Sequence, residues 1–155
     1  MPTVIDANVL VALFSSSRDD SKTKRVNHLL EEMRRRRGRL YIPTPALSEF
    51  AAKASDDEMD FIQNQAAFYS VPFDKKAAIE CGDLIREWAK GEDKEGRHEA
   101  KFDIQIIAIL KAINADTLIT SDKQLKKRAS GLGFKVMDIM DIHIPEDVQA
   151  DLFRE

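Results

Sequence analysis

The chain has 155 residues, 43% of them hydrophobic, and a net charge of −3; that suits one domain over residues 1–155 with its own core, and excludes a disordered chain or one that binds polyanions by bulk charge. A single cysteine, Cys81, and three histidines exclude an intrachain disulfide and leave no zinc-spaced Cys/His set, which fits a reducing, cytoplasmic setting. The apolar opening VIDANVLVALF lacks a basic lead, contains Asp6 and Asn8 and is too short to span a bilayer, so neither signal peptide nor membrane anchor is expected.

In chain order, Thr3 to Ile5 reads as a short buried strand, followed by a turn or helix over Asn8 to Phe14 and a polar loop, SSSRDD. A helix over Lys22 to Arg37 comes next, with Gly38 as its C-cap. LYIP is a strand ended by Pro43, after which Thr44 caps a helix that starts at Pro45 and carries Glu49 one turn in. Ser55 and Glu58 have the capping-box interval for a helix from Asp56 to Ala67. YSVPF is extended, and Asp74 caps a helix through Ile85 and Trp88 toward Gly91. The charged stretch GEDKEGRHE is a loop before an apolar helix, Phe102 to Ile113, which Asp103 opens. ADTLIT is a core strand, Ser121 with Gln124 has capping-box spacing for a helix through Arg128, and Phe134 to Met137 is a last strand. Strands alternating with helices predict a three-layer α/β/α sandwich with a mostly parallel central sheet and its ligand site at the carboxyl ends of the strands.

Four acids fall at the edges of these elements: Asp6, Glu49, Asp103 and Asp122. Each has an ordinary structural reading: a turn residue, a solvent-facing helix acid, a carboxylate favoured by the helix dipole and a helix-start acid, respectively. Gathered in one partly dry pocket they would repel one another and raise their pKa values unless a divalent cation offset the charge. An all-oxygen set suits Mg2+ or Mn2+, ions that activate water and stabilise a leaving oxygen in phosphodiester hydrolysis. His28, His98 and His143 show no local arrangement around a serine or Cys81 and read as structural or surface residues.

In order and context these motifs resemble the PIN-domain family of nucleases: VIDANVLVALF with Asp6 and Asn8, TPALSEF with Glu49, KFDIQIIAIL with Asp103, and NADTLITSDKQLKK with Thr120 and Asp122. The resemblance covers nearly the whole chain. It implies a metal-dependent endoribonuclease that leaves a 5′ phosphate and a 3′ hydroxyl, with Asp6, Glu49, Asp103 and Asp122 holding Mg2+ or Mn2+ and with Asn8 and Thr120 as supporting residues. Small members of the family are often toxins of type II toxin-antitoxin pairs, so the resemblance also implies a homodimer and a small antitoxin partner. Two features depart from the compact toxins: the longer stretch between Phe68 and Gly96, and the KF lead before Asp103.

RNA affinity should come from a basic rim, because phosphates are bound electrostatically while the acids repel them. Candidates are Arg34, Arg35, Arg36, Arg37 and Arg39, whose ordinary reading is the solvated C-terminus of a helix, and Lys101, placed in a first helical turn beside Asp103. Two other classes compete. An aspartate-nucleophile phosphotransferase would want a second acid where Asn8 stands. A non-catalytic RNA-binding or protein-interaction module would keep the fold without turnover. Apolar residues around Ala51, Met59, Ile62 and Phe68 suggest a dimer surface or simply core.

Overall fold

The computed structural model describes residues 2–14, 21–90 and 97–145, with the backbone alone for residues 97–99. The SSSRDD loop and residues 91–96 of GEDKEGRHE lie outside the described residues.

Among the described residues, five short strands, β1 (Thr3–Ile5), β2 (Leu40–Pro43), β3 (Phe68–Val71), β4 (Thr117–Ile119) and β5 (Lys135–Met137), form one sheet in the order β3-β2-β1-β4-β5, and every pairing is parallel. Parallel neighbours need crossover segments, and seven helices supply them: α1 (Ala7–Leu13), α2 (Ser21–Arg36), α3 (Thr44–Ala51), α4 (Asp56–Gln63), α5 (Lys75–Ala89), α6 (Arg97–Ala112) and α7 (Lys123–Gly131). With α1, α2 and α3 packed together, and α6 packed on both α5 and α7, the three-layer α/β/α architecture follows. Val4, Ile5, Leu40, Ile42 and Leu118 are sealed in the sheet, and the expectation that β1 and β4 are core strands holds.

Apolar spacing sets the helices. Helix α5 lines up Ala77, Cys81, Leu84 and Trp88 on one stripe, and the first three of these are buried. Helix α6 is buried on most sides, from Ala100 through Ile104, Ile107, Ala108 and Leu110. It begins at Arg97, about five residues earlier than the apolar run suggests, so GEDKEGRHE contributes its last three residues to a helix.

Several ends differ from the sequence reading for local reasons. Arg37, not Gly38, takes the left-handed conformation after α2 (φ 52°), while the Gly38 N–H donates to the Met33 carbonyl at 2.8 Å. Gly38 is held there by close approach, since a Cβ would sit 2.8 Å from the Met33 sulfur. Pro43, not Thr44, is the N-cap of α3, and the Thr44 hydroxyl instead accepts from the Phe73 N–H at 3.1 Å, tying α3 to the segment after β3. The Ser55/Glu58 capping box forms as expected, but α4 stops at Gln63, because the chain must turn to lay Phe68 beside Leu40. Asp122 replaces Ser121 as the cap of α7. Ile62 belongs to the core, and Met59 and Phe68 pack against it, so of the suggested dimer residues only Ala51 is exposed.

Leu110 is fully buried, whereas Phe102 on the same helix is 55% exposed. Leu110→Ala should therefore lower the urea-unfolding free energy by about 3 kcal/mol through lost burial and a residual cavity. Phe102→Ala should change it by no more than about 0.5 kcal/mol.

Candidate active site

Strand β1 lies at the middle of the sheet, and the connections leave it in opposite directions: β2 and β3 build one side, β4 and β5 the other. Such a reversal opens a crevice at the carboxyl ends of the two strands that flank it. Ile5 pairs with Ile119 at that edge, so the residues that follow, Asp6 and Thr120, arrive side by side. The Asp6 N–H donates to the Ile119 carbonyl at 3.1 Å, and the Thr120 N–H to that of Met137 at 3.0 Å.

Asp6 is 5% exposed and Thr120 fully buried. Asp6 Oδ1 accepts from the Ala7 N–H at 2.8 Å, which makes Asp6 the N-cap of α1, and Oδ2 accepts from the Thr120 hydroxyl at 2.8 Å. Having given its one proton to Asp6, Thr120 Oγ1 accepts from Asn8 Nδ2 (3.2 Å) and from the Asp122 N–H (3.0 Å). Asn8 completes the junction: Nδ2 also reaches Asp6 Oδ2 at 3.4 Å, and Oδ1 accepts from the Ser121 N–H at 3.1 Å. The Asn8 amide therefore has one consistent orientation, its nitrogen toward Asp6 and Thr120. Asn8 and Thr120 thus act through Asp6, and the reading of Asp6 as a plain turn residue gives way to a cap that also enters a pocket.

The other acids come from separate elements. Asp122 caps α7, its Oδ1 accepting from the N–H groups of Gln124 (2.9 Å) and Leu125 (3.1 Å), so its helix-start reading is realised with Oδ2 outside the cap. Glu49 is exposed on α3. Asp103 is buried on α6, seven residues into the helix and thus beyond the reach of its N-terminal dipole, and its Oδ2 accepts from Arg128 Nη1 at 2.6 Å.

Burial and neighbouring negative charge displace Asp6, Glu49 and Asp103. Asp6 is raised above the ordinary range mainly by burial, with Asp122 adding to the rise and the Thr120 and Ala7 hydrogen bonds opposing it. Loss of surrounding water raises Glu49 despite its exposure, and Asp6 and Asp122 raise it further, while Lys53 opposes. Asp103 is pushed up to about 6 by burial, against the hydrogen bond from Arg128, with Asp122 and Asp6 contributing repulsion. Asp122 thus acts on Asp6, Glu49 and Asp103, and Asp6 acts on Glu49 and Asp103. Among the described residues no three carboxylate, His or Cys side chains already stand as a group that could hold a metal ion. The donor chemistry nevertheless fits a hard cation that keeps several waters, since every ligand offered is oxygen and added positive charge would relieve all three raised groups.

The predicted cations do not gather here. Arg37 and Arg39 precede β2, and Arg34, Arg35 and Arg36 end α2, so all five lie at the amino edge of a parallel sheet whose carboxyl edge carries the acids. Arg34 donates to Gln65, Arg35 pairs with Glu32 and Arg39 lies 5.2 Å from the Tyr69 ring centre, as expected of a solvated helix end. Lys101 is exposed and stands on α6 two residues before Asp103, a spacing that faces a different side of the helix. The cations the fold does bring to the acids were not singled out from sequence: Lys53 near Glu49, and Arg128 on Asp103. Nothing local marks Arg128, which meets an acid 25 residues away. A cleft of about 610 Å³ adjoins the pocket, lined by Asn8, Val11, Phe14, Lys53, Glu58 and Ser121 among others.

Comparison with known proteins identifies the fold. The family model for the PIN domain matches residues 3–131. The fold is similar to a chain of VapBC2 from Rickettsia felis, solved bound to a DNA fragment from their promoter (17% identity, TM-score 0.64, 89% of this chain and 98% of that chain). It is also similar to a chain of DNA-bound VapBC from Salmonella typhimurium (16%, 0.62, 90% and 98%) and of FitAcB from Neisseria gonorrhoeae (20%, 0.62, 90% and 99%). At these identities the likeness is one of fold. No curated protein matches the chain.

Two outcomes follow from the junction and its charges. Thr120→Val keeps the shape but leaves Asp6 Oδ2 without its short donor and the Asp122 N–H without its acceptor, and should lower the urea midpoint at unchanged slope, a loss of about 2 to 3 kcal/mol. Folded Asp103 holds its proton up to about pH 6, whereas the unfolded chain releases it near 3.8, so this stabilisation is complete below 3.8 and lost as pH rises through 6. In EDTA the thermal midpoint should therefore fall between roughly pH 4 and 7, and fall less in Asp103→Asn.

Proposed function

We propose, from the premise that this chain belongs to the PIN domain family, that it is a metal-dependent endoribonuclease of one domain, residues 1–155, whose active site is the Asp6, Glu49, Asp103 and Asp122 pocket. The observation that carries this reading is that the charges of Asp6, at the end of β1, and Asp122, at the β4-α7 junction, raise Glu49 on α3 and Asp103 on α6. Two buried acids, Asp6 and Asp103, among two exposed ones are unfavourable for folding alone and suit a bound cation.

In this proposal Asp6, Glu49, Asp103 and Asp122 would hold Mg2+ or Mn2+, directly or through water, and the bound ion would supply Lewis-acid chemistry, lowering the pKa of a water and offsetting charge on the departing oxygen. The chain does the rest. Asp6 is held rigid through both oxygens, by the Ala7 N–H and by Thr120, and Asn8 locks Thr120 and Ser121 in place. Glu49, exposed and raised in pKa, is placed to accept a proton from the attacking water. Water adds to phosphorus, the bond to the 3′ oxygen breaks, and the products carry a 5′ phosphate and a 3′ hydroxyl.

The substrate proposed is RNA and the setting cytoplasmic; among the described residues no helix is long and apolar enough to cross a membrane. Likeness to VapBC and FitAcB structures supports a further proposal: a toxin that forms a homodimer and is held by a small antitoxin protein. One observation favours the non-catalytic alternative, the engagement of Asp103 by Arg128 in place of a cation.

Labelled RNA incubated with purified protein in manganese, magnesium or EDTA separates the two readings. The nuclease yields fragments with the divalent ions only, and both Asp6→Asn and Asp103→Asn abolish them, a loss of at least about a hundredfold. Manganese should also raise the thermal midpoint of the wild type more than that of Asp6→Asn. RNA left intact by protein freed of any co-purifying partner would favour a binding module.

A further inference from the structure

A second groove, about 450 Å³, runs between α5, α6 and α7 beside the acids. Trp88, partly exposed at the end of the α5 stripe, forms one wall, with Leu84 and Ile104 beneath and Lys127 and Arg128 along α7. It shares Arg128 with the candidate active site, because the guanidinium that lines the groove donates from Nη1 to Asp103 Oδ2 at 2.6 Å. Arg128 therefore bridges the groove and Asp103.

We propose that this groove is a subsite for one unpaired nucleotide of the RNA, with Trp88 as the stacking face for its base and Arg128 as the anchor for its phosphate. The inference rests on the nuclease reading and names where the strand lies next to the cleaved bond. An aromatic ring beside cations is the usual means of holding single-stranded nucleic acid, since every base has a face to stack and every linkage a charge to neutralise. Arg128 suits the phosphate because its guanidinium carries further N–H donors besides the one engaged by Asp103. Exposed Lys127 adds a second positive charge on the same helix. Glu87, the acid on the rim, is offset by Lys90 at 3.1 Å. The arginines at the amino edge lie too far round the sheet to serve this role. Charge complementarity from Lys127 and Arg128, and the Arg128 link to Asp103, favour a nucleotide over an apolar protein segment.

Trp88 is the single tryptophan of the chain, so its emission reports the groove directly. The experiment titrates Asp6→Asn, which keeps RNA intact, with a single-stranded RNA of about ten nucleotides and with its duplex, following both Trp88 fluorescence and RNA anisotropy. The proposal expects saturable quenching by the single strand and much less by the duplex. Trp88→Leu should weaken binding roughly tenfold while Trp88→Phe, which keeps a ring, retains most of the affinity. Arg128→Gln should weaken it by a similar factor and reduce the salt dependence by about one unit of slope. Single-stranded RNA that binds without changing Trp88 emission, or wild-type affinity in Trp88→Leu, overturns the subsite and leaves the groove to a protein segment. Parallel cleavage assays keep the two claims apart: a Trp88→Leu enzyme that cleaves with unchanged KM refutes the subsite alone. A wild type that neither binds nor cleaves RNA refutes the nuclease reading and the subsite with it.

Discussion

The buried Thr120 hydroxyl fixes the junction at which the paired strands β1 and β4 end side by side. Thr120 Oγ1 gives its proton to Asp6 and takes hydrogen bonds from Asn8 and from the Asp122 backbone, so its donor and both acceptor positions are filled. Through those contacts the ends of β1 and β4 are held level at the point where the sheet reverses direction, and the starts of α1 and α7 are oriented from the same spot. The crevice exists because parallel strands diverge there into helices on opposite faces, and the threonine keeps its walls in register.

Bringing carboxylates to such a place opposes folding, and the chain moderates this locally. Asp6 and Asp122 each give one oxygen to backbone N–H groups at a helix N-terminus, where the helix dipole favours negative charge. Asp103 lies mid-helix with no such help, and Arg128 is the partner that offsets it. Even so the hydrogen bond does not restore an ordinary carboxyl, since burial and the other acids leave Asp103 near 6. Carboxyls left raised after their own contacts are complete are the feature on which the proposed cation site rests.

Positive charge is divided by the direction of the strands. Helix α2 returns from the carboxyl edge to the amino edge, which leaves its arginine-rich end opposite the acids, whereas α7 starts at the carboxyl edge and keeps Arg128 beside Asp103. The richest basic run in the chain is consequently a helix end capped through Gly38 and Met33, while an isolated arginine holds the position with chemical leverage.

Much of this was legible in the chain. Short apolar runs marked β1 and β4, and the Ser55/Glu58 and Asp74 caps marked their helices, because caps and apolar runs are local signals set by backbone hydrogen bonding and burial. Asp6 and Asp122, expected at element edges, stand at helix starts, whereas Asp103, expected at a helix start, lies seven residues in. Tertiary structure alone decided the Thr120 junction, the Asp103 to Arg128 pair, the groove at Trp88 and the exile of the arginines to the far edge. Each of those depends on which strands become neighbours and which way they run, and contacts spanning 25 to 114 residues leave no periodic trace in sequence.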